Sequence, residues 1–196
     1  GIPLWVHRRC LDPMFTIANQ IAYNNKMVQG NTGNIGKTGW LDIKGTATSR
    51  QYVKEQGERV VDLLIKDWKE VVEKGEYEPS VFVISPFTEV QSRIKNLTRS
   101  KLYSIYNNDK EKIRKWVNKS IGTVHTFQGK EANKVYFVVG TDDTQNGAVN
   151  WSCEKPNLLN VAVTRAKKEF YIVGDQDRIK SRPYYSTINE NLNVEL

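Results

Sequence analysis

The sequence has little cysteine and histidine and no long apolar run. Cys10 and Cys153 are far apart and belong to no CxxC or Cys/His cluster, so neither a disulfide framework nor a structural zinc site is predicted. Two histidines are too few for a His-rich metal site. No run approaches the roughly 18 apolar residues that a membrane span requires, and residues 1–13 lack the layout of a signal peptide. We therefore expect a cytoplasmic (intracellular) protein with reduced thiols and no metal site.

An excess of acidic residues is also absent. The 196 residues include 29 basic and 22 acidic ones, which gives a net charge of +7. This modest excess is compatible with a polyanionic partner but is common in proteins that bind none. The length predicts one ordinary domain. Because the sequence begins inside an apparent strand, we expect it to be a fragment of a larger protein.

Short apolar runs alternate with segments of helical period along the chain. Strands are predicted at residues 4–6, 39–45, 81–84, 121–124, 135–139 and 170–173. Helices are predicted at residues 14–22, 51–74, 86–97, 113–117 and 156–166. Residues 26–50 read as a loop-rich segment with a short strand. Strands without polar alternation, interleaved with helices, indicate an α/β domain with a mostly parallel sheet and helices on both faces.

One glycine-rich segment, GNTGNIGKT at residues 30–38, is a near miss to a phosphate-binding loop. The pattern G-x-x-x-x-G-K-[ST], counted back from Gly36, requires a glycine at position 31, which is Asn31. Such a loop also follows a strand and opens a helix, whereas a helical pattern precedes this segment and a strand pattern follows it. We predict a surface loop.

The segment TVHTFQGKE, residues 123–131, carries an unusual concentration of polar side chains after an apolar run. A turn glycine explains Gly129 but leaves His125, Thr126, Gln128 and Glu131 unexplained. Ligands of open parallel sheets bind beyond the carboxyl ends of strands. We therefore expect these side chains to lie together at such an end.

A second segment, NLLNVAVTRAKK at residues 157–168, combines a helical apolar pattern with basic residues. Lys167 and Lys168 fit a solvated helix end equally well, because cations are favoured there. Arg165 has small and apolar neighbours, which favours a specific role for its guanidinium, such as binding a phosphate through two parallel hydrogen bonds.

The two segments resemble motifs V and VI of superfamily 1 helicases, in the branch that includes the nonsense-mediated-decay RNA helicase and the DNA replication helicase/nuclease. The similarity extends over most of the chain, since HRRC at residues 7–10 resembles the QYR-containing segment after motif III. The resemblance implies a RecA-like P-loop NTPase-type fold that lacks its own P-loop. The chain would be the C-terminal, second motor domain, with the N-terminal motor domain absent from it.

The resemblance also implies roles for individual residues. ATP with Mg²⁺ would be bound mainly by the missing N-terminal domain. Arg165 corresponds to the arginine finger at the γ-phosphate, Arg9 to an earlier γ-phosphate arginine, and Gln128 to a residue that couples nucleotide to strand. Cofactor binding is expected of Arg8 (where the family often has an adenine-stacking tyrosine), Gly129 and Glu131. Contacts with single-stranded DNA or RNA are expected of Ser85, Pro86, Thr123, His125 and Thr126.

Three alternatives remain at this point. A non-enzymatic nucleic-acid-binding module derived from a helicase is the main one, and the chain alone is expected to be inactive in either case. A self-sufficient P-loop NTPase is disfavoured by the register at Asn31. A nuclease is disfavoured because Glu131-x-x-Lys134 and the scattered aspartates form no convincing metal cluster. DNA and RNA are not distinguished, because backbone and stacking contacts are common to both.

Overall fold

The computed structural model describes residues 5–7, 10–25, 27–29, 34–48, 50–153 and 156–196, and it describes their side chains except at 5–7, 27–29, 153 and 156–157. The strands are β1 (Trp5–His7), β2 (Met27–Gln29), β3 (Lys37–Asp42), β4 (Ala47–Thr48), β5 (Tyr52–Val53), β6 (Val81–Ile84), β7 (Ile121–Gly122), β8 (Ala132–Val138) and β9 (Ala166–Gly174). The helices are α1 (Met14–Ala22), α2 (Lys54–Glu73), α3 (Thr88–Ile105), α4 (Lys110–Ser120), α5 (Asn146–Cys153), α6 (Pro156–Thr164), α7 (Gln176–Ile179) and α8 (Tyr185–Glu190).

A five-stranded sheet in the order β3-β9-β8-β6-β7 forms the centre of the domain. Every neighbouring pair in it is parallel. β1 pairs with β2 in a separate small sheet, and β4 pairs with β5 in another. The predicted parallel sheet is therefore confirmed.

Helices cover both faces of the central sheet. One hydrophobic core lies between the sheet and α1, α6 and α8 and includes Met14, Leu159 and Ile188. The other lies between the sheet and α2, α3 and α4 and includes Leu64, Ile94 and Trp116. Because both faces are buried, the strands contain continuous apolar runs rather than an alternating pattern. Among the described residues, no helix is both long enough and apolar enough to cross a membrane.

The long helix α2 shows how the sequence sets an element's end. Its apolar stripe is buried through Val60, Leu64 and Trp68. At its C-terminus Gly75 has φ +71, its amide donates to the carbonyl of Val72, and the next amide donates to the carbonyl of Val71. This pair of hydrogen bonds is a Schellman cap, which places a residue in the left-handed region and favours glycine there.

The segment 26–50 differs from its prediction. Instead of a loop-rich stretch with one short strand, it contains β2, β3 and β4, and β3 begins at Lys37 rather than at Gly39. β3 pairs with β9 along its whole length. On the other side of β3, the backbone of Thr38 is bonded to Asn193 from the end of the chain. The polar, glycine-rich start of β3 is therefore stabilised by hydrogen bonds to β9 and to Asn193, which are distant in sequence. Gly36 leads into a strand, as predicted, and not into a helix. The prediction of a surface loop is wrong for the end of segment 30–38, because Gly36 and Thr38 are buried.

Candidate functional site

The predicted site residues separate onto two opposite edges of the central sheet. Arg165 and Glu131 immediately precede β9 and β8, so they lie at the edge formed by the amino ends of the parallel strands. Ser85 and Thr123 immediately follow β6 and β7, so they lie at the carboxyl-end edge. The expectation that the polar residues of segment 123–131 lie together at one carboxyl end is therefore wrong. Because β7 and β8 run in the same direction, the chain must cross from one edge to the other between Gly122 and Ala132, and a 3₁₀ turn at Val124–Phe127 forms part of this crossing.

Arg165 connects the two motif-like segments at the amino-end edge. Its side chain is buried, its Nη1 donates to the carbonyl of Phe127 at 3.3 Å, and its Nη2 donates to Oγ1 of Thr164 at 3.2 Å. Its backbone carbonyl accepts a hydrogen bond from the amide of Ala132 at 2.8 Å. The segment that resembles motif VI is thus bonded directly to the segment that resembles motif V.

A tight turn presents Gln128 and Gly129 beside this arginine. The amide of Lys130 donates to the carbonyl of Phe127 at 2.9 Å. Gln128 has φ −57 and ψ 125, and Gly129 has φ +77, which together define a type II turn. The ring of Phe127 is buried and stacks on Phe82 at 4.4 Å between centroids. The turn is therefore anchored at its first residue, while Gln128 and Gly129 are exposed.

Charged side chains surround the same turn. Glu131 forms an exposed ion pair with Lys167, with 3.7 Å between Oε1 and Nζ, and exposed pairs of this kind contribute at most about 1 kcal/mol. Glu131 and Lys130 also line a cleft of about 460 Å³ together with the ion-paired Glu78 and Lys119. The amino-end edge therefore offers both acidic and basic groups to a ligand.

At the carboxyl-end edge, the structure does not present Ser85 to solvent. Its side chain is fully buried, and its Oγ accepts a hydrogen bond from the amide of Phe87 at 3.3 Å. Its amide donates to the carbonyl of Gly122, which ties the end of β6 to the start of the crossing segment. Pro86 is buried as well but lines an open cleft. Thr123 is half-buried, while His125 and Thr126 are exposed.

Two of the predicted nucleotide-binding residues, Arg8 and Arg9, lie outside the described residues, as does Asn31 of the near-miss loop. Within the described part of the chain, no group of three or more His, Cys, Asp or Glu side chains is arranged to hold a metal ion.

The loop after β8 contains polar residues that sequence patterns did not single out. Asp142 is buried and accepts hydrogen bonds from the amide of Ala47 at 2.7 Å and from the hydroxyl of Thr144 at 2.6 Å. The Thr144 hydroxyl, the backbone amides of Ala47 and Thr144, and the charge of Arg178 hold the pKa of the Asp142 carboxyl below its usual range. Arg178 donates to the carbonyl and hydroxyl of Thr141, and burial lowers its pKa. These groups bond to one another and stabilise the loop.

A further cleft at the carboxyl-end edge was also missed from the sequence. It has a volume of about 380 Å³ and is lined by Arg50, Gln51, Pro86, Phe87, Thr88, Glu89, Ala148 and Trp151. Trp151 was the available signal, because it is a large aromatic residue within the mostly polar segment 141–152.

The family model of the AAA domain, AAA_12, matches residues 6–177. The chain belongs to this AAA domain family. No curated protein matches the chain. Among solved structures, this AAA domain is similar to the C-terminal domain of a possible DNA helicase from Lactobacillus plantarum WCFS1, with a TM-score of 0.52 and 11% identity over 96% of this chain and 98% of that one. At this identity the similarity shows a shared fold, and it confirms the predicted RecA-like α/β architecture.

Proposed function

We propose that this AAA domain is the second motor domain of an ATP-dependent superfamily 1 helicase or translocase. It would form one wall of an ATP site, and an N-terminal RecA-like domain of the same protein would form the other. The family and the fold support a motor domain. The observation that carries the proposal is the direct bonding of Arg165 to the turn of Gln128 and Gly129.

In the proposed mechanism, Arg165 stabilises the γ-phosphate during hydrolysis. Two of the acceptors of its guanidinium, the Phe127 carbonyl and the Thr164 hydroxyl, are neutral. A phosphate is a stronger acceptor, because charge-assisted hydrogen bonds are roughly twice as strong as neutral ones. An arginine that reaches the phosphate from a second domain makes hydrolysis depend on domain closure. Mg²⁺ would be held mainly by the N-terminal domain.

The turn next to Arg165 is the proposed link between ATP and the nucleic acid. Glu131 has carboxylate acceptors suited to the ribose hydroxyls of the nucleotide. Gln128 precedes it, and the 3₁₀ turn Val124–Phe127 leads back to Thr123 at the opposite edge. Since the carbonyl of Phe127 accepts from both Arg165 and Lys130, a movement of the arginine toward a phosphate would alter the bonding of this turn. That change would be transmitted along the crossing segment.

The carboxyl-end edge is the proposed path of single-stranded DNA or RNA. Exposed His125 and Thr126 and half-buried Thr123 offer hydrogen-bonding groups there. Ser85 would contribute indirectly, by holding the turn that positions Pro86. The net charge of +7 is compatible with a polyanionic partner.

The purified chain provides the first test. We expect it to bind single-stranded oligonucleotides with an affinity that falls as salt concentration rises, and to show no steady ATP turnover above a buffer control. No turnover is expected because the chain would supply the catalytic arginine without the phosphate-binding loop that holds ATP. Steady turnover by the chain alone would contradict the division of the ATP site between two domains.

A non-enzymatic nucleic-acid-binding module is the second candidate. It is favoured by the internal hydrogen bonds of Arg165 to Phe127 and Thr164, which form without a ligand. This candidate predicts that the longer protein binds nucleic acid with an affinity independent of ATP and does not hydrolyse ATP. ATP hydrolysis stimulated by nucleic acid would exclude it.

A further inference from the structure

An exposed tryptophan lies at the carboxyl-end edge of the sheet. Trp40, Trp68 and Trp116 are almost completely buried, whereas Trp151 in α5 exposes 50% of its surface. A single exposed apolar side chain is common on protein surfaces. Trp151 differs because it forms part of the wall of an open cleft of about 380 Å³ that also includes Pro86. This volume is within the range of roughly 300–1,000 Å³ found for small-molecule sites.

The indole is supported from within the domain. The centroid of Trp151 lies 5.9 Å from that of Phe87, with an angle of 36° between the ring planes. Phe87 is itself buried and belongs to the hydrophobic core under α3. Its amide donates to Ser85, which fixes the chain between β6 and α3. Part of the indole is thus packed on a rigid base, while the remainder contacts solvent.

The charges around the cleft favour an anionic ligand. The exposed side chain of Arg50 lines it, and the backbone carbonyl of Arg50 accepts a hydrogen bond from the side chain of Gln145, which holds that residue to the loop after β8. The acidic lining residue, Glu89, forms an ion pair with Arg93 at 3.1 Å. Arg93 therefore partly balances the negative charge of Glu89, and Arg50 is the cation among the residues that line the cleft.

We propose that this cleft is a base-stacking subsite for single-stranded nucleic acid. One base stacks on the indole of Trp151, and the guanidinium of Arg50 binds a neighbouring phosphate. The inference rests on the proposed function, since it requires the strand to pass along the carboxyl-end edge, and it adds Trp151 and Arg50 to the residues expected there. Every base has a flat face, so the subsite holds the strand without selecting a sequence.

A pair of oligonucleotides separates stacking from binding of the backbone. The first is an oligothymidine of about 12 nucleotides, within the range of site sizes for single-strand binding, and the second is an abasic strand of the same length. Trp151→Ala is expected to weaken binding of the oligothymidine roughly 5- to 150-fold, the range for loss of one stacked base. The same variant should bind the abasic strand as the wild type does.

Two further variants serve as controls, and a third tests the phosphate contact. Tyr77 is an exposed aromatic residue shortly before β6, at the amino-end edge, so Tyr77→Ala should leave both affinities unchanged. Trp151→Phe retains an aromatic face and should recover most of the affinity. The difference between the fluorescence of the wild type and that of Trp151→Phe gives the emission of Trp151. Oligothymidine should quench this emission. Arg50→Ala should reduce the slope of log affinity against log salt by about 1.

The possible failures are distinguishable. If Trp151→Ala binds oligothymidine like the wild type, or loses affinity equally for the abasic strand, the stacking subsite is wrong while the proposed function stands. If the folded wild-type chain binds neither strand, both the subsite and the proposed nucleic-acid path are wrong. Trp151→Phe keeps an aromatic ring packed on Phe87. If oligothymidine quenches the wild-type fluorescence but Trp151→Ala binds it with unchanged affinity, the subsite is also wrong.

Discussion

Arg165 occupies an unusual position for an arginine. Arginine is rarely buried without partners, and this one lies between the end of α6 and the start of β9 with its guanidinium turned toward the carbonyl of Phe127. Burial raises the energetic value of each hydrogen bond it makes, because the local dielectric constant is lower than that of water. A lysine could not form both bonds with the same geometry, since only the guanidinium is a planar fork. The position therefore has a structural role as well as the proposed catalytic one.

Gly129 is the residue on which the geometry of the neighbouring turn depends. Its φ of +77 lies in the left-handed region, and a Cβ added there would meet no atom within 4 Å. Gly129→Ala should therefore destabilise the fold through backbone strain alone, by about 1 kcal/mol. The free energy of unfolding in urea measures this effect.

Gly147 provides the matched control for that substitution. A Cβ at Gly147 also meets no atom within 4 Å, but this residue lies in helix α5 and has no positive φ. Gly147→Ala should be neutral or stabilising by up to about 1 kcal/mol. Equal stability of the Gly129→Ala and wild-type proteins would show that the turn does not adopt the left-handed conformation.

At the residue scale, two segments that the sequence patterns singled out lie together in the structure, but the exposure of individual side chains was not predicted. The segments around Gln128 and Arg165 were recognised, and the structure bonds them to each other. The burial of Ser85 was not foreseen, because a serine after a strand is equally compatible with an exposed hydroxyl and with one that accepts from a nearby amide. Only the packing of Phe87 and the bond to Gly122 decide between them.

Among the elements, α2 and β8 are joined by an ion pair that is largely buried. Nζ of Lys134 lies 2.9 Å from Oδ1 of Asp67. Burial raises the pKa of the Asp67 carboxyl, and Lys134 only partly offsets this effect. The folded state therefore holds a proton on Asp67 more tightly than the unfolded state does. The ionised carboxylate reduces stability at neutral pH, and this cost disappears as the pH falls below the unfolded pKa, near 4.

This sign leads to a prediction for the pair. Lys134→Met leaves the carboxylate of Asp67 without its cation, so it should destabilise the protein by about 1–3 kcal/mol at neutral pH. The loss should shrink as the pH is lowered and Asp67 becomes protonated. The double variant Asp67→Leu, Lys134→Met should recover most of the stability, because apolar packing often replaces such a pair without cost.

Urea unfolding of the wild type, Lys134→Met and the double variant at neutral and acidic pH measures this cycle. Lys101→Met is the control, since Lys101 pairs with Asp62 on the surface at 3.5 Å and should change stability by less than about 1 kcal/mol. A loss in Lys134→Met that is independent of pH, or a double variant less stable than the single one, would contradict the assignment.

Sequence patterns predicted most helices and strands because the buried apolar residues of each element recur at the spacing of that element. The strand at Val81–Ile84 matches its prediction at both ends, and α2 differs by a few residues. β3 was placed too late, since its first residues are held by β9 and by Asn193. α5 was not predicted, because Asn146 and Gly147 at its start do not favour a helix.

For the whole molecule, the predicted site residues lie on two opposite edges of the central sheet. Parallel pairing of β7 and β8 on either side of β6 forces segment 123–131 to cross the domain. Residue spacing does not encode this order of strands, which is why the separation of the site was not predicted. The crossing gives the proposed motor a continuous path of nine residues between the ATP side and the nucleic-acid side.

ATP turnover of an Arg165 variant tests the central claim most directly. In the parent protein with both motor domains, Arg165→Ala should lower kcat by about 10³–10⁵. The variant should still fold and bind nucleotide, with a lower thermal stability because its hydrogen bonds to Phe127 and Thr164 are lost. Arg182→Ala is the control, because Arg182 donates to Asn146 and Asn150 away from the amino-end edge, and it should leave kcat unchanged. A folded Arg165→Ala protein with near-normal kcat would contradict the assignment of Arg165 to the γ-phosphate.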